Sequence, residues 1–433
     1  MLALLLAGLS AFATPTKEDA LKWRMKIVEM GLPPVTDDKE ARPVGVMENF
    51  LQSSFETSLS NMESRRLFKG AIKTQPWSGH YWPNYSGGLA FRWADPRFPQ
   101  TDNWGLGERY FRSQSGVSTY FDVLSPAEKY DYMTSAGPYS PGSLSQHQWN
   151  LGRDEFSRTG SVATWQGICH GWAPASIYMP KPKHNVSFRF PEGEFVLTTE
   201  DVKALGSLYW ANGNYETLHA GFRCNAETAS TNREGRVVDP NCFDVNPADW
   251  HIALTHMVGV KKESFIIDAE ENSEVWNHPV VSYEMEFFDP AKSSVRSKSF
   301  REVIRDFSRS NSIPHRSFRS PHTKYVVGVI SRIQINVETM PGVTEDVNNE
   351  RVYVYDLELD GNYNIVGGEW RDKARPDFLW RVRPGVKPSF PADSIPLDMW
   401  SMRDANWRRA AQLNNARGAP IKLLVEELFR LTQ

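Results

Sequence analysis

The chain is poor in cysteine, with three among 433 residues: Cys169, Cys224 and Cys242. Three thiols cannot staple a small disulfide scaffold or build repeated thiolate metal centres. It also lacks an excess of one charge, since 49 Lys and Arg stand against 52 Asp and Glu, for a net charge of −3. That balance removes the electrostatic footprint of a general nucleic-acid binder. No segment offers the roughly twenty consecutive apolar residues that a membrane span requires, and no internal repeat marks a solenoid or propeller. Tryptophan, by contrast, is plentiful, with 15 copies in a chain that is 12% aromatic and 40% hydrophobic. Such side chains build cores and also line grooves that grip polypeptide or sugar. At this length two or three domains are expected rather than one.

The N-terminus, MLALLLAGLSAFATPT, carries no charge before Lys17. Its apolar run ends in Ala11-Phe12-Ala13, a small-x-small pattern that predicts a secretory signal at residues 1–13 and a secreted or periplasmic mature protein. In an oxidising compartment three cysteines leave one thiol over. Cys224 and Cys242 bracket a polar stretch, NAETASTNREGRVVDPN, with the composition of a surface excursion. Pairing them closes a loop worth about 3 kcal/mol in the chain-entropy account. Cys169 is then the odd thiol.

Residues 14–70 read as an N-terminal helical segment, either a small domain or a pro-segment covering a groove. TKEDALKWRMKIVEMG has Thr16 as cap, Leu21, Met25 and Val28 on one face, and a stop at Gly31. A second helix is expected near Val46 to Ser60. Residues 71–290 mix aromatic loops such as WSGHYWPNYSGGLAFRWADP with two well-marked helices. One starts at Ser125-Pro126 with Glu128 completing a capping box, and the other is TTEDVKALGSLYWA. Past Asp249, WHIALTHMVGV, SFIID and VVSYEMEFF read as strands. From Ala291 to Lys324 nine Lys and Arg face two acids, which reads as a solvated linker and helix, with anionic-glycan binding as the sharper option. KYVVGVISRIQINVE and RVYVYDLELDGNYNIVGGEW then alternate like antiparallel strands, turning at Asp360-Gly361-Asn362, before an amphipathic helix at IKLLVEELFRL. Residues 291–433 therefore read as a separate C-terminal β-rich domain, and the class as α+β.

The chemistry gathers at TWQGICHGWAPAS, Thr164 to Ser176. A thiol attacks as thiolate, and a helix N-terminus with a nearby imidazolium favours that form. Gly167 permits a tight approach and WAPASIY supplies an apolar helix behind Cys169. Cys–His enzymes place nucleophile and base on different elements, with a carboxylate or amide orienting the imidazole. His251, opening WHIALTHMVG, faces Asp268 at the end of SFIID if the hairpin turns near Gly259 and Val260. If it turns at Lys262, His256 faces Asp268 instead. Gln166, Trp165 and the Cys169 amide are candidates for oxyanion donors, and Trp165, Trp172, Trp210 and Trp276 for groove walls. Each of these tryptophans serves equally well as an ordinary core residue.

Cysteine, then histidine, then aspartate, with QGICHGWA ahead of WHIALTHMVG, resembles the papain superfamily, to which transglutaminases belong. EVWNHPVVSYE, Glu274 to Glu284, resembles the Val-Trp-Asn-Gln-Pro-Val peptide of the oomycete transglutaminase elicitor family, which has bacterial relatives. Val275, Trp276, Asn277, Pro279 and Val280 match, His278 replaces the glutamine, and VSYEME departs from the family's Arg-Gly-Phe-Lys-Val-Tyr. The resemblance runs from PWSGHYWP through QGICHGWAPA to GGEW. It implies Cys169 as nucleophile with a downstream histidine–aspartate pair, in a papain-like core flanked by other domains. The implied activity joins glutamine and lysine side chains of protein substrates through a cysteine thioester. The chemistry requires no cofactor. The family leaves calcium dependence open, with no site assignable, since DLELDGN lacks the spacing of a calcium loop. A secreted papain-like protease, or a non-catalytic secreted interaction protein using the aromatic loops, would share most of these features.

Overall fold

The computed structural model describes residues 43–114, 121–134, 140–190, 193–223, 230–233, 236–239, 242–270 and 273–433. The signal at 1–13, the helix expected from Thr16 and Cys224 lie outside the described residues. Among those described, no helix is long and apolar enough to cross a membrane.

The described residues open with α1 (Pro43–Leu51) and α2 (Leu59–Ser64), not with one helix from 46 to 60. Gln52 turns to φ 52°, and the Ser58 hydroxyl accepts from the Asn61 amide to start the second helix. Met47, Phe50, Leu51, Leu59 and Met62 are all fully buried. The next strand, β1 (Lys69–Ala71), pairs with β6 (Asn277–Asp289). Residues 43–71 are thus tied into the fold by buried side chains and strand pairing.

Helices α3 (Trp104–Ser113), α4 (Pro126–Met133), α5 (Leu144–Leu151) and α6 (Arg153–Thr159) follow. The expected capping box at Ser125 and Glu128 is present. Helix α7 (Cys169–Tyr178) packs along α8 (Thr199–Asn212), where Gly171 allows close approach: a Cβ there would sit 2.2 Å from the Ser207 carbonyl. A two-stranded ribbon, β2 (Val186–Phe190) with β3 (Gly193–Leu197), lies between them in sequence.

The remaining strands form one ten-stranded antiparallel sheet. Its main order is β11 (Ile365–Trp370), β10 (Asn348–Leu359), β9 (Tyr325–Asn336), β6, β5 (Ile266–Asp268), β12 (Phe378–Val382) and β4 (Thr217–Gly221). Strands β1, β7 (Lys292–Ser297) and β8 (Arg305–Asp306) attach beside this path. A boundary at 290/291 is therefore not a seam in the fold: β6 pairs with β9, and β12 inserts between β5 and β4. The helix α+β reading holds, but the C-terminal strands complete the same sheet rather than a separate domain. Residues 291–324 carry strands and short turns, not a helix. Several of their basic side chains answer acids elsewhere, among them Lys298 with Glu284, Arg301 with Glu63, and the buried Arg319 with Asp356.

WHIALTHMVG is not a strand. It is helical: α9 (Pro247–Ala253) runs directly into a π-helical stretch, Leu254–Lys261. Asn246 caps it, its side chain accepting from the Ala248 amide, and Pro247 takes the first helical position. Nearly every residue of the run is buried, so its apolar pattern has no face to betray its period. A continuous apolar run fits a buried helix and a buried strand equally. The sheet separates two cores. One gathers α4, α5, α7, α8 and the C-terminal helices α10 (Ala405–Asn415) and α11 (Lys422–Leu431), while the other holds α1, α9 and the long strands.

Candidate active site

Cys169 is the first residue of α7 and is buried, 4% exposed. The turn before it is held by the Ile168 amide donating to the Tyr81 carbonyl at 2.7 Å. Gly167 lets that carbonyl approach, because a Cβ there would lie 2.5 Å from it. The first intrahelical acceptor is the Ile168 carbonyl, bonded by the amides of Gly171 and Trp172. The Cys169 amide thus stands at the positive end of the helix.

Two polar groups meet the thiol. Asn277 Nδ2 donates to Sγ at 3.4 Å, and Sγ lies 3.6 Å from the Val275 carbonyl. The amide of Asn277 is fixed from its other end, where Trp380 Nε1 donates to Oδ1 at 2.7 Å. Asn277 pairs in register with Asp268. Asp268 Oδ1 accepts from the Trp276 amide at 2.9 Å, and its buried Oδ2 has no hydrogen-bond partner among the described residues. His219 stacks on Trp380, 6.2 Å between rings, and reaches the Thr217 hydroxyl at 2.8 Å. Glu338, just beyond β9, places Oε2 3.6 Å from His278 Nδ1, while its buried Oε1 has no partner.

Burial dominates the protonation of all these groups. The Cys169 thiol is pushed up to about 11 by burial and by the Glu338 carboxyl, with the Asn277 hydrogen bond opposing. Asp268 is raised to about 8 by burial, against the amides of Trp276 and Glu270. Glu338 is raised to about 7 by burial. His278 is lowered to about 4, also by burial, so its imidazole is neutral at physiological pH.

Of the residues expected from sequence, Asp268 is the register partner of Asn277, whose side chain reaches the Cys169 sulfur. His251 does not join them. It lies on α9 in the other core, fully buried, with Nδ1 3.0 Å from the Tyr355 hydroxyl and Nε2 without a partner. The expected hairpin facing Asp268 does not exist, because that segment is a helix. His256 sits on the π-helical stretch and reaches the Ser53 hydroxyl at 3.1 Å. Among the aromatics, Trp276 is half-buried, 5.4 Å from the Tyr81 ring, and flanks the thiol through its neighbours Val275 and Asn277. Trp165 is half-buried under the Arg223 guanidinium, and Gln166 gives its backbone carbonyl to the Asn84 amide. Trp172 is wholly buried, its Nε1 bonded to the Trp77 carbonyl, and Trp210 is buried against Tyr178. Both are core residues.

Sequence reasoning gave no role to Asn277, Trp380, Glu338 or Tyr81. Only Asn277 carried a usable signal, as part of the VWN peptide. Cys242 is buried, and its expected pairing with Cys224 falls outside the described residues. Among the described residues no three His, Cys, Asp or Glu side chains gather to hold a metal ion.

No curated protein sequence matches the chain. The fold is similar to the crystal structure of the GP42 transglutaminase from Phytophthora sojae, with a TM-score of 0.57 at 21% identity, covering 90% of this chain and 97% of that one. The family model described as transglutaminase elicitor matches residues 44–393, a span that includes Cys169, Asp268, Asn277, Glu338 and Trp380. The chain belongs to the transglutaminase elicitor family.

Proposed function

We propose that the chain is a protein-glutamine γ-glutamyltransferase that forms γ-glutamyl-lysine crosslinks through a thioester on Cys169. The observation that carries this reading is the Asn277 amide held on the Cys169 sulfur at the N-terminus of a buried helix. Asp268 stands beside that amide with an unpartnered oxygen. Asp268, in its carboxylate form, takes the thiol proton as Sγ attacks the glutamine carboxamide carbon. The C–N bond breaks, the proton goes to the departing nitrogen, and ammonia leaves. A lysine amine then attacks the thioester, the C–S bond breaks, and the thiol is restored. The Cys169 amide and Asn277 Nδ2 are the donors for the oxyanion of both tetrahedral intermediates. Tyr81 and Trp276 wall the thiol and keep water from competing with the amine. No metal enters these steps.

The setting proposed for this activity is outside the cytosol, after loss of residues 1–13 and with Cys224 and Cys242 joined. The test is incorporation of a fluorescent primary amine into casein by wild type and Cys169→Ala, with and without calcium. Incorporation by wild type alone, with unchanged folding of the variant, is the expected result. Casein fragments without incorporation would instead make the chain a protease. No reaction by either protein, together with no selective labelling of Cys169 by iodoacetamide, would leave a non-catalytic interaction protein.

A further inference from the structure

A path of contacts leads from Cys169 to Glu338 and back. From the cysteine turn, Ile168 is bonded to Tyr81. Two residues before Tyr81, the Gly79 carbonyl accepts from the Thr339 amide at 3.0 Å, which places the neighbouring Glu338 on the same rim. Glu338 reaches His278, and the next residue, Asn277, returns to the sulfur. In the sheet order β9–β6–β5, Glu338 follows the end of β9 and Asp268 sits on β5, so the two acids lie on opposite sides of the strand that carries Asn277. Glu338 Oε1 is buried without a partner among the described residues, and its side chain as a whole is 14% exposed. The imidazole beside it does not neutralise it: His278 Nδ1 is also 3.1 Å from the Asn336 carbonyl, which fixes that nitrogen as an N–H, and burial lowers the ring to about 4, which keeps it neutral. Burying a carboxyl oxygen with no donor is unfavourable. A cation that approaches along the aromatic faces of Tyr81 and Trp276 would satisfy it.

Resting on the acyl-transfer reading above, we propose that Glu338 is the acceptor-binding residue of this site. It receives the primary alkylammonium of the second substrate, a lysine side chain or an alkyl polyamine, and takes its proton. The alkylammonium passes H⁺ to the Glu338 carboxylate and becomes a neutral amine. The amine nitrogen forms the new C–N bond as the thioester C–S bond breaks. Its second proton returns to the departing Cys169 thiolate, and Glu338 releases its own proton to solvent through its exposed edge. The site then separates its two carboxyls by task, with Asp268 serving the glutamine half and Glu338 the amine half.

The test uses the full chain, a glutamine peptide as donor, and two nucleophiles: a fluorescent alkylamine, cationic at neutral pH, and hydroxylamine, which is uncharged there. Glu338→Gln is expected to lower kcat/KM for the alkylamine about 10²-fold more than for hydroxylamine, the scale of a lost general base, whatever common change the lost charge makes at the Cys169 thiol. An equal fall for both nucleophiles, or no fall for either, overturns the proposal and leaves acyl transfer standing. Failure of the wild type with both nucleophiles overturns acyl transfer, and this proposal with it. If Glu338→Gln does not fold, the wild type decides the matter. Butylammonium must inhibit hydroxamate formation competitively at concentrations where butanol does not, and equal inhibition by the two overturns the assignment.

Discussion

Cys169 and His251 are both buried residues of the reactive kinds, on helices packed against opposite faces of one sheet, and their surroundings differ in kind. Around Cys169 polar groups converge with capacity to spare: an amide on the sulfur, and two carboxyls each with an unpartnered oxygen. Around His251 there is one hydrogen bond, to Tyr355, inside a wall that includes the Phe68 ring. The first arrangement is costly to fold and useful for chemistry. The second is a satisfied core position with one idle nitrogen. Burial of a reactive side chain therefore identifies nothing by itself; the idle polar groups next to it do.

The largest effect that would break this contrast after loss of the thiol itself is at Asn277. Asn277→Ala removes the donor on Sγ and leaves Trp380 Nε1 unpaired. Amine incorporation is expected to fall by about 10²–10³-fold, the usual consequence of deleting an oxyanion donor, with a stability loss of about 1–3 kcal/mol from the stranded indole. Activity within a few-fold of wild type, at matched folding by near-UV circular dichroism, would remove Asn277 from the reaction.

The reverse pattern is expected at His251. His251→Ala opens a cavity in the second core and is expected to lower stability by about 2–4 kcal/mol, while amine incorporation by the folded fraction is unchanged. His251→Leu restores most of the volume, so urea denaturation should show a loss of about 1 kcal/mol or less. A leucine variant that folds but cannot transfer acyl groups would return the imidazole to catalysis. That the sequence pairs His251 with Asp268 and the fold does not has a clear physical source. Asn246 and Pro247 announced a helix start, but an apolar run buried on every side has no polar face to set a period against. The same sequence read well where the local rule was complete, at Ser125-Pro126-Glu128 and at Asp360-Gly361-Asn362. It read Cys169 at a helix start for the same reason. Glu338 and Trp380 were out of reach because each arrives from a distant strand or strand end, and only the sheet order β9–β6–β5–β12 brings them to the thiol.

Titration sharpens the comparison, because the two regions respond in opposite directions. Asp268 is raised to about 8 in the fold, from an ordinary value near 3.9 in the unfolded chain. Between those values the native state holds a proton that the unfolded chain has released. Its contribution is complete below about pH 4, is lost as the pH rises to about 8, and changes no further above that. Asp268→Asn should remove this slope, so the variant gains stability relative to wild type from pH 4 to 8. His251 is lowered to about 3 by burial. As the pH falls from about 6.5 toward 3, the unfolded chain takes up a proton that the native state refuses, and stability is lost at up to about 1.4 kcal/mol per pH unit. His251→Leu should remove that acid-side loss. Parallel pH profiles for wild type and either variant would mean that the corresponding group is not held in its neutral form.

The smallest effect is expected at His256, the other imidazole that sequence could have paired with Asp268. It is 8% exposed, on the π-helical stretch, and its one hydrogen bond ties that stretch to the Ser53 hydroxyl behind α1. Burial lowers it to about 4, with Lys261, Arg381 and Arg65 adding repulsion, so at neutral pH it is an uncharged tether. His256→Ala should cost about 1 kcal/mol, the net worth of one such bond with little cavity at the rim, and leave amine incorporation untouched. His256→Gln, which can still reach the serine, should recover most of that loss. A variant as stable as wild type but unable to transfer acyl groups would be the informative failure. It would mean that the π-helical stretch rearranges toward Cys169 when substrate binds, and that the separation of the two cores is a property of the resting state alone.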